Sequence, residues 1–174
     1  LELPLLKVQV LAGVSAEAVP AIAQSLQTAL QTAQDLGLPE AEATGLEALL
    51  VLNYHHDRLS DLHHHSLQAA ERGHTVHPSH SARVLAISGA CLTTMERDMN
   101  RAEALLIEAQ ALAQRGQAIL PDIPCGLGIV ARFRGDLATA RQQFAAVYAL
   151  LETTLANDPP IYLNVAMALS HWTM

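Results

Sequence analysis

Histidine is the residue type in this chain best placed to do chemistry. Eight of the nine histidines fall between His55 and His80, as the pair His55-His56, the run His63-His64-His65 and the set His74, His77 and His80. Imidazole is a common ligand of zinc, nickel or copper, and a helical hairpin turning at Asp57 to Ser60 would face His55 or His56 toward His63. A metal-binding sensor using the His55 to His80 cluster is therefore one expectation. Against it, consecutive helical residues point about 100° apart, so His63, His64 and His65 cannot all converge. No His-Glu-x-x-His or paired-cysteine framework accompanies them. A solvated helix face with its loop, or a cluster that responds to pH, are the competing readings.

Other constellations carry less. Gly126-Leu127-Gly128-Ile129-Val130-Ala131 spells the dinucleotide pattern Gly-x-Gly-x-x-Ala, but that pattern needs a strand feeding the turn, which Pro121-Asp122-Ile123-Pro124 cannot supply. Lys7 is the only lysine and the pattern Gly-x-x-x-x-Gly-Lys is missing, which excludes a phosphate-cradling loop of that kind. Cys91 and Cys125 sit at core-like helical positions with no local nucleophile signature, and read as buried free thiols. Carboxylates at Glu40, Glu42, Glu96, Asp98 and Asp122 lie near expected helix ends, where they complement the dipole. Arg83, Arg97, Arg101, Arg132, Arg134 and Arg141 read as salt-bridged helix surface or as a site for an acidic partner. No catalytic residue, cofactor or enzymatic activity is expected.

The elements that must carry these residues are helices. The chain has 174 residues, half of them apolar, with only 3% aromatic side chains. That is enough for a sizeable core in one domain, and the dominance of Ala, Leu and Gln suits helix rather than sheet. Ten Lys plus Arg against 17 Asp plus Glu give a net charge of −7, which argues against direct nucleic-acid contact and against an acidic membrane face. The apolar run from Val84 to Met95 falls short of the roughly 20 residues a bilayer demands. No secretion signal is legible, so a cytoplasmic location is expected. The opening Leu1 in place of Met reads as a piece of a longer polypeptide.

Helical periodicity breaks at Gly13, Gly37 to Pro39, Gly73 to Ser79, Gly116 to Pro124 and Asn157 to Pro160. Ser15, Ser79 or Ser81, Asp98, Asp136 and Asn157 are the expected caps, Pro39 suits a first turn, and Gly37, Gly73 and Gly116 suit left-handed helix ends. About eight helices result. Aligning the chain on itself brings four trios together: Ile22, Leu26 and Ala29; Leu62, Ser66 and Ala69; Ala102, Leu106 and Ala109; Ala140, Phe144 and Val147. Each trio lies on one helical face, and its small members admit a close neighbour. One hairpin cannot bury both of its apolar faces, whereas stacked hairpins can, so an all-α solenoid of antiparallel helix pairs is expected over residues 1–174. Its units are approximately 1–38, 39–78, 79–118 and 119–157, with a partial unit at 158–174.

The segment Leu127-Gly128, Gly135-Asp136-Leu137, Ala140, Phe144 and Val147 resembles the tetratricopeptide repeat, and Gly89-Ala90, Asp98, Ala102, Leu106 and Ala109 look like a second copy. The spacing exceeds the family period of about 34 residues, and the first-helix aromatic is missing. The resemblance implies a right-handed superhelix, and longer repeats of this kind look like those of large bacterial transcription activators and signalling proteins. It thereby implies a non-catalytic protein-interaction or regulatory scaffold, with partners that are peptides, proteins or adjoining domains of the same polypeptide. Carried onto this chain, the family's inner face falls on Glu47, Val51, Tyr54, Ile87, Cys91, Cys125, Ile129 and Arg132. An apolar stripe of that kind favours an amphipathic helix or apolar segment, unless tight winding buries it. Self-association is a further expectation, because Tyr162, Val165, Ala166, Leu169 and Trp172 begin a unit without its second helix and could form a homodimer contact.

Overall fold

A computed structural model describes residues 3–154. Among the described residues there are eight helices and no strand: α1 (Leu3–Ala12), α2 (Val19–Asp35), α3 (Pro39–His55), α4 (Leu59–Gly73), α5 (Pro78–Thr94), α6 (Met99–Gly116), α7 (Asp122–Phe133) and α8 (Leu137–Thr154). Pro20 is the second residue of α2 and Pro39 the first of α3, positions where the missing N–H costs nothing. Five helix ends close in one way: a left-handed residue is followed by an N–H that bonds back five residues. The left-handed residues are Gly37, Asp57, Glu96, Gln117 and Gly135, and the bonds are Leu38 to Ala33, Arg58 to Asn53, Arg97 to Leu92, Ala118 to Ala113 and Asp136 to Ala131.

Some expected signals act differently. The helix after Gly13 begins at Val19 rather than at Ala16, so Ser15 does not cap it. Ser79 and Ser81 lie inside α5. Gly73 ends α4 packed against α5, where a Cβ would come 2.8 Å from Leu85, and Gln117 rather than Gly116 takes the left-handed conformation. Asp136 does cap its helix, accepting the Thr139 N–H at 3.0 Å; hydrogen bonds from the Thr139 hydroxyl first, and then from the Thr139 N–H, hold the Asp136 carboxyl below its ordinary pKa. Asp98 precedes α6 without capping it, because its carboxylate turns to His63. The Asn157 cap and the apolar set Tyr162 to Trp172 lie outside the described residues.

Every closely packed helix pair is adjacent in sequence or separated by one helix: α1 packs on α2 and α3, α3 on α4 and α5, α5 on α6 and α7, and α7 on α8. The even-numbered helices α2, α4 and α6 also pack on the odd-numbered helix that follows. This explains a difference in composition. The middle odd helices are covered on several sides, and α3 buries ten residues between Glu42 and Asn53, including Leu46, Glu47, Leu49 and Leu50. The even helices bury one stripe, as in Ala23, Leu26, Leu30 and Ala33 of α2. Three of the trios are fully buried, and Leu26 is the buried member of the first. Small residues set the approach: a Cβ at Gly89 would stand 2.7 Å from Leu106, and one at Gly126 would stand 2.6 Å from the same side chain. Leu106 thus fills the space between α5 and α7.

Candidate functional site

The expected inner face splits once side chains are in place. Glu47, Cys91, Cys125 and Ile129 are buried, while Val51, Tyr54, Ile87 and Arg132 are half-buried. Val51, Tyr54 and Ile87 pack against the core cluster that α1 to α5 share.

Glu47 is not a group waiting for a partner. Its carboxylate, 1% exposed, receives Lys7 Nζ of α1 at 2.6 Å and Arg83 Nε of α5 at 2.6 Å. Burial pushes the Glu47 pKa up, but the Arg83 and Lys7 charges and their hydrogen bonds outweigh it and leave it below the ordinary value. One anion therefore ties three odd-numbered helices together. The signal in the sequence was Lys7, the single charged residue of α1, but nothing in the sequence paired it with Glu47.

Cys91 and Cys125 are both pushed up to about 12, by burial first and then by the Asp122 charge, while the Ser66 hydroxyl lowers Cys91 slightly. Both thiols stay protonated at neutral pH and are poor nucleophiles. Tyr54 is also pushed up to about 12, by burial and then by Cys91, Cys125 and Asp57. Tyr54 of α3 is thus within electrostatic reach of Cys91 of α5 and of Cys125 of α7.

The histidines disperse into pairs. His65 is buried, and the Asn53 amide of α3 donates to its Nδ1 at 2.9 Å, which requires a neutral ring carrying its proton on Nε2. Burial lowers the His65 pKa, His64 and Arg58 act in the same direction, and Asp61 opposes them. Burial also lowers His55, aided by His56. His63 Nε2 meets Asp98 Oδ2 at 2.7 Å, His80 Nδ1 meets Glu40 Oε2 at 2.6 Å, and His74 Nδ1 meets Glu108 Oε1 at 3.3 Å. Among the described residues, no group of three or more His, Cys, Asp or Glu side chains is placed to hold a metal ion.

The glycine fingerprint is accounted for by packing. Gly126 and Gly128 lie within α7, where Gly126 faces Leu106 and Gly128 faces the Phe144 ring. Of the arginines expected on the surface, Arg134 forks onto Glu103 at 2.5 and 2.6 Å and Arg101 approaches Glu71 at 3.9 Å. No described helix is long and apolar enough to cross a membrane. No protein-family model, curated protein or solved structure matches this chain.

Proposed function

We propose that the chain is a non-catalytic protein-binding module of tetratricopeptide-repeat type, in which α3, α5 and α7 line the inner face of a right-handed superhelix. The observation that carries this reading is that α3 packs on α5 and α5 on α7, so the odd-numbered helices form a continuous row. Val51, Tyr54, Ile87 and Arg132 on those helices retain partial access to solvent. The partner best suited to it is an amphipathic helix or apolar segment of another protein or of an adjoining domain, since burying each such side chain contributes about 1 to 2 kcal/mol. In this reading the module serves a cytoplasmic, bacterial regulatory polypeptide, as the resemblance of residues 127–147 implies.

The test is site-specific photocrosslinking. A benzophenone side chain at Val51 should give a saturable adduct with one partner, which Ile87→Asp removes while helicity is retained. The same probe at the exposed Ile107 of α6 should give none. Equal yields from both faces would overturn the reading.

A second reading, self-association, is favoured by one observation. Leu5 and Val8 are each 60% exposed on α1, away from the face on which Leu3 and Val10 are buried. Light scattering over a dilution series should then show a mass that falls toward the monomer on dilution and at all concentrations in Leu5→Glu/Val8→Glu. A concentration-independent monomer would end this reading.

A further inference from the structure

The seam between the α3–α4 pair and the α5–α6 pair differs from its neighbours in the kind of cation that crosses it. At the seam before it, Lys7 of α1 reaches Glu47 of α3. At the seam after it, Arg134 reaches Glu103 and Asn100 of α6. These two contacts are made by a lysine and an arginine. At the central seam, Arg83 and Arg101 are joined by three histidines: His80 of α5 meets Glu40 of α3, His63 of α4 meets Asp98 at the head of α6, and His74 after α4 meets Glu108 of α6. The sequence separations are 40, 35 and 34 residues, so each contact joins one pair to the next. The histidine richness of residues 55–80 coincides with this seam.

α4 and α6 both pack on α5, with which they share a buried apolar cluster that includes Ala70, Leu85 and Leu105. α4 and α6 are not among the closely packed helix pairs, and their link runs through α5. His63–Asp98, His74–Glu108 and Arg101–Glu71 are the ion pairs seen to bridge them directly, and the last is long at 3.9 Å. We infer that the central seam is a proton-dependent fastener, in which protonation of His63, His74 and His80 opposite Asp98, Glu108 and Glu40 draws the α3–α4 and α5–α6 pairs together and its loss lets α4 and α6 part. The inference does not depend on what the inner face binds.

The charged surroundings support this sign. From α3 the seam presents Glu40 and Glu47, from α4 Glu71, and from α6 and its head Asp98 and Glu108. Against these carboxylates stand Arg83 and Arg101. Carboxylates outnumber permanent cations at the seam, so added protons relieve an excess of negative charge. The Glu40 carboxyl is itself held below its ordinary value, first by the His77 N–H and, against burial, by His80 and the His77 charge, so it stays ionised while histidines take up protons. His65 opposes them from the core, because its bond from Asn53 favours the neutral ring. Its pKa is lowered, so the contribution of the neutral ring is lost as pH falls below 6.5, and His65 works against the fastener as protons are added.

Amide hydrogen exchange on the intact chain, corrected for the intrinsic pH dependence of exchange, tests the inference at about pH 6 and about pH 8. Each exposed pair is expected to change the opening equilibrium by about two- to five-fold, so protection in α4 and the first half of α6 should rise by about tenfold on acidification. His63→Gln/His74→Gln should abolish most of that rise, and Asp98→Asn/Glu108→Gln should do the same with the imidazoles retained. Both double variants change exposed side chains, and circular dichroism establishes that they fold. The rise in the wild type and its loss in both variants support the fastener. A flat or falling wild-type response overturns it, and so does an equal rise in either variant.

Discussion

Glu47 illustrates how a charge becomes tolerable inside an odd-numbered helix. Its carboxylate is out of water, yet Lys7 and Arg83 approach it from the core's edge with part of each side chain still in solvent. Removing one partner of a buried pair costs about 3 to 5 kcal/mol when the survivor is trapped, and less where the survivors can turn to water. Glu47→Gln is accordingly expected to lose about 1 to 3 kcal/mol, seen as a lower urea midpoint at unchanged slope. Acid removes the same contribution. The folded pKa of Glu47 lies below its reference of 4.5, so the stabilisation is present above that reference and disappears as pH falls through the folded value. His65 acts at higher pH with a different chemistry. Its folded pKa lies below 6.5, so the advantage of the neutral ring is complete above 6.5 and is lost as pH falls below it. The stability gap between wild type and His65→Gln should therefore narrow from about pH 8 to about pH 5. A gap of constant size in urea titrations would mean that the proton on His65 is irrelevant to folding.

At the scale of the helix, glycine decides how near two neighbours come. Gly128→Ala would drive a methyl group into the Phe144 ring of α8. Overpacking costs about 1 to 3 kcal/mol and helix propensity returns up to about 1, so a net loss of up to about 2 kcal/mol is expected. Phe144→Leu in the same chain should make the two changes non-additive, and strict additivity in the double-mutant cycle would place the strain elsewhere. Gly116→Ala is the control: a Cβ there meets open space, and stability should rise by up to about 1 kcal/mol. These contacts explain which parts of the fold could be read from the chain alone. The trio Ala102, Leu106 and Ala109 was legible because helical periodicity marks a buried stripe whatever covers it. Gly126 and Gly128 could be separated from a dinucleotide-binding turn once the preceding prolines ruled out a strand, but that Gly126 faces Leu106 came only from the structure. Left-handed helix ends were legible at Gly37, but Asp57, Glu96 and Gln117 adopt the same conformation with side chains that announce nothing of it. The site was less legible than the fold. The stripe Val51, Tyr54, Ile87 follows from register, whereas the burial of Glu47, Cys91, Cys125 and Ile129 depends on how closely α1, α5 and α7 approach, which no local pattern encodes.

For the whole molecule, the decisive property is how far a local injury travels. Packing joins each helix to the next and each odd-numbered helix to the next of its kind, and Leu106 stands where α5, α6 and α7 meet. It is fully buried, so Leu106→Ala should cost about 2 to 5 kcal/mol through lost burial and the cavity left behind. In a chain whose parts touch their neighbours only, that cost stays near its source. Amide exchange should then quicken in α5 to α8 while α1 and α2, whose contacts run to each other and to α3, keep their wild-type protection. A closed bundle would respond differently, because every helix would share one core and one opening free energy. Uniform quickening from α1 to α8 would therefore reject the nearest-neighbour architecture. A gradient that fades toward α1 would explain how a proton taken up between α4 and α6 can alter the packing there while α1 and α2 keep theirs.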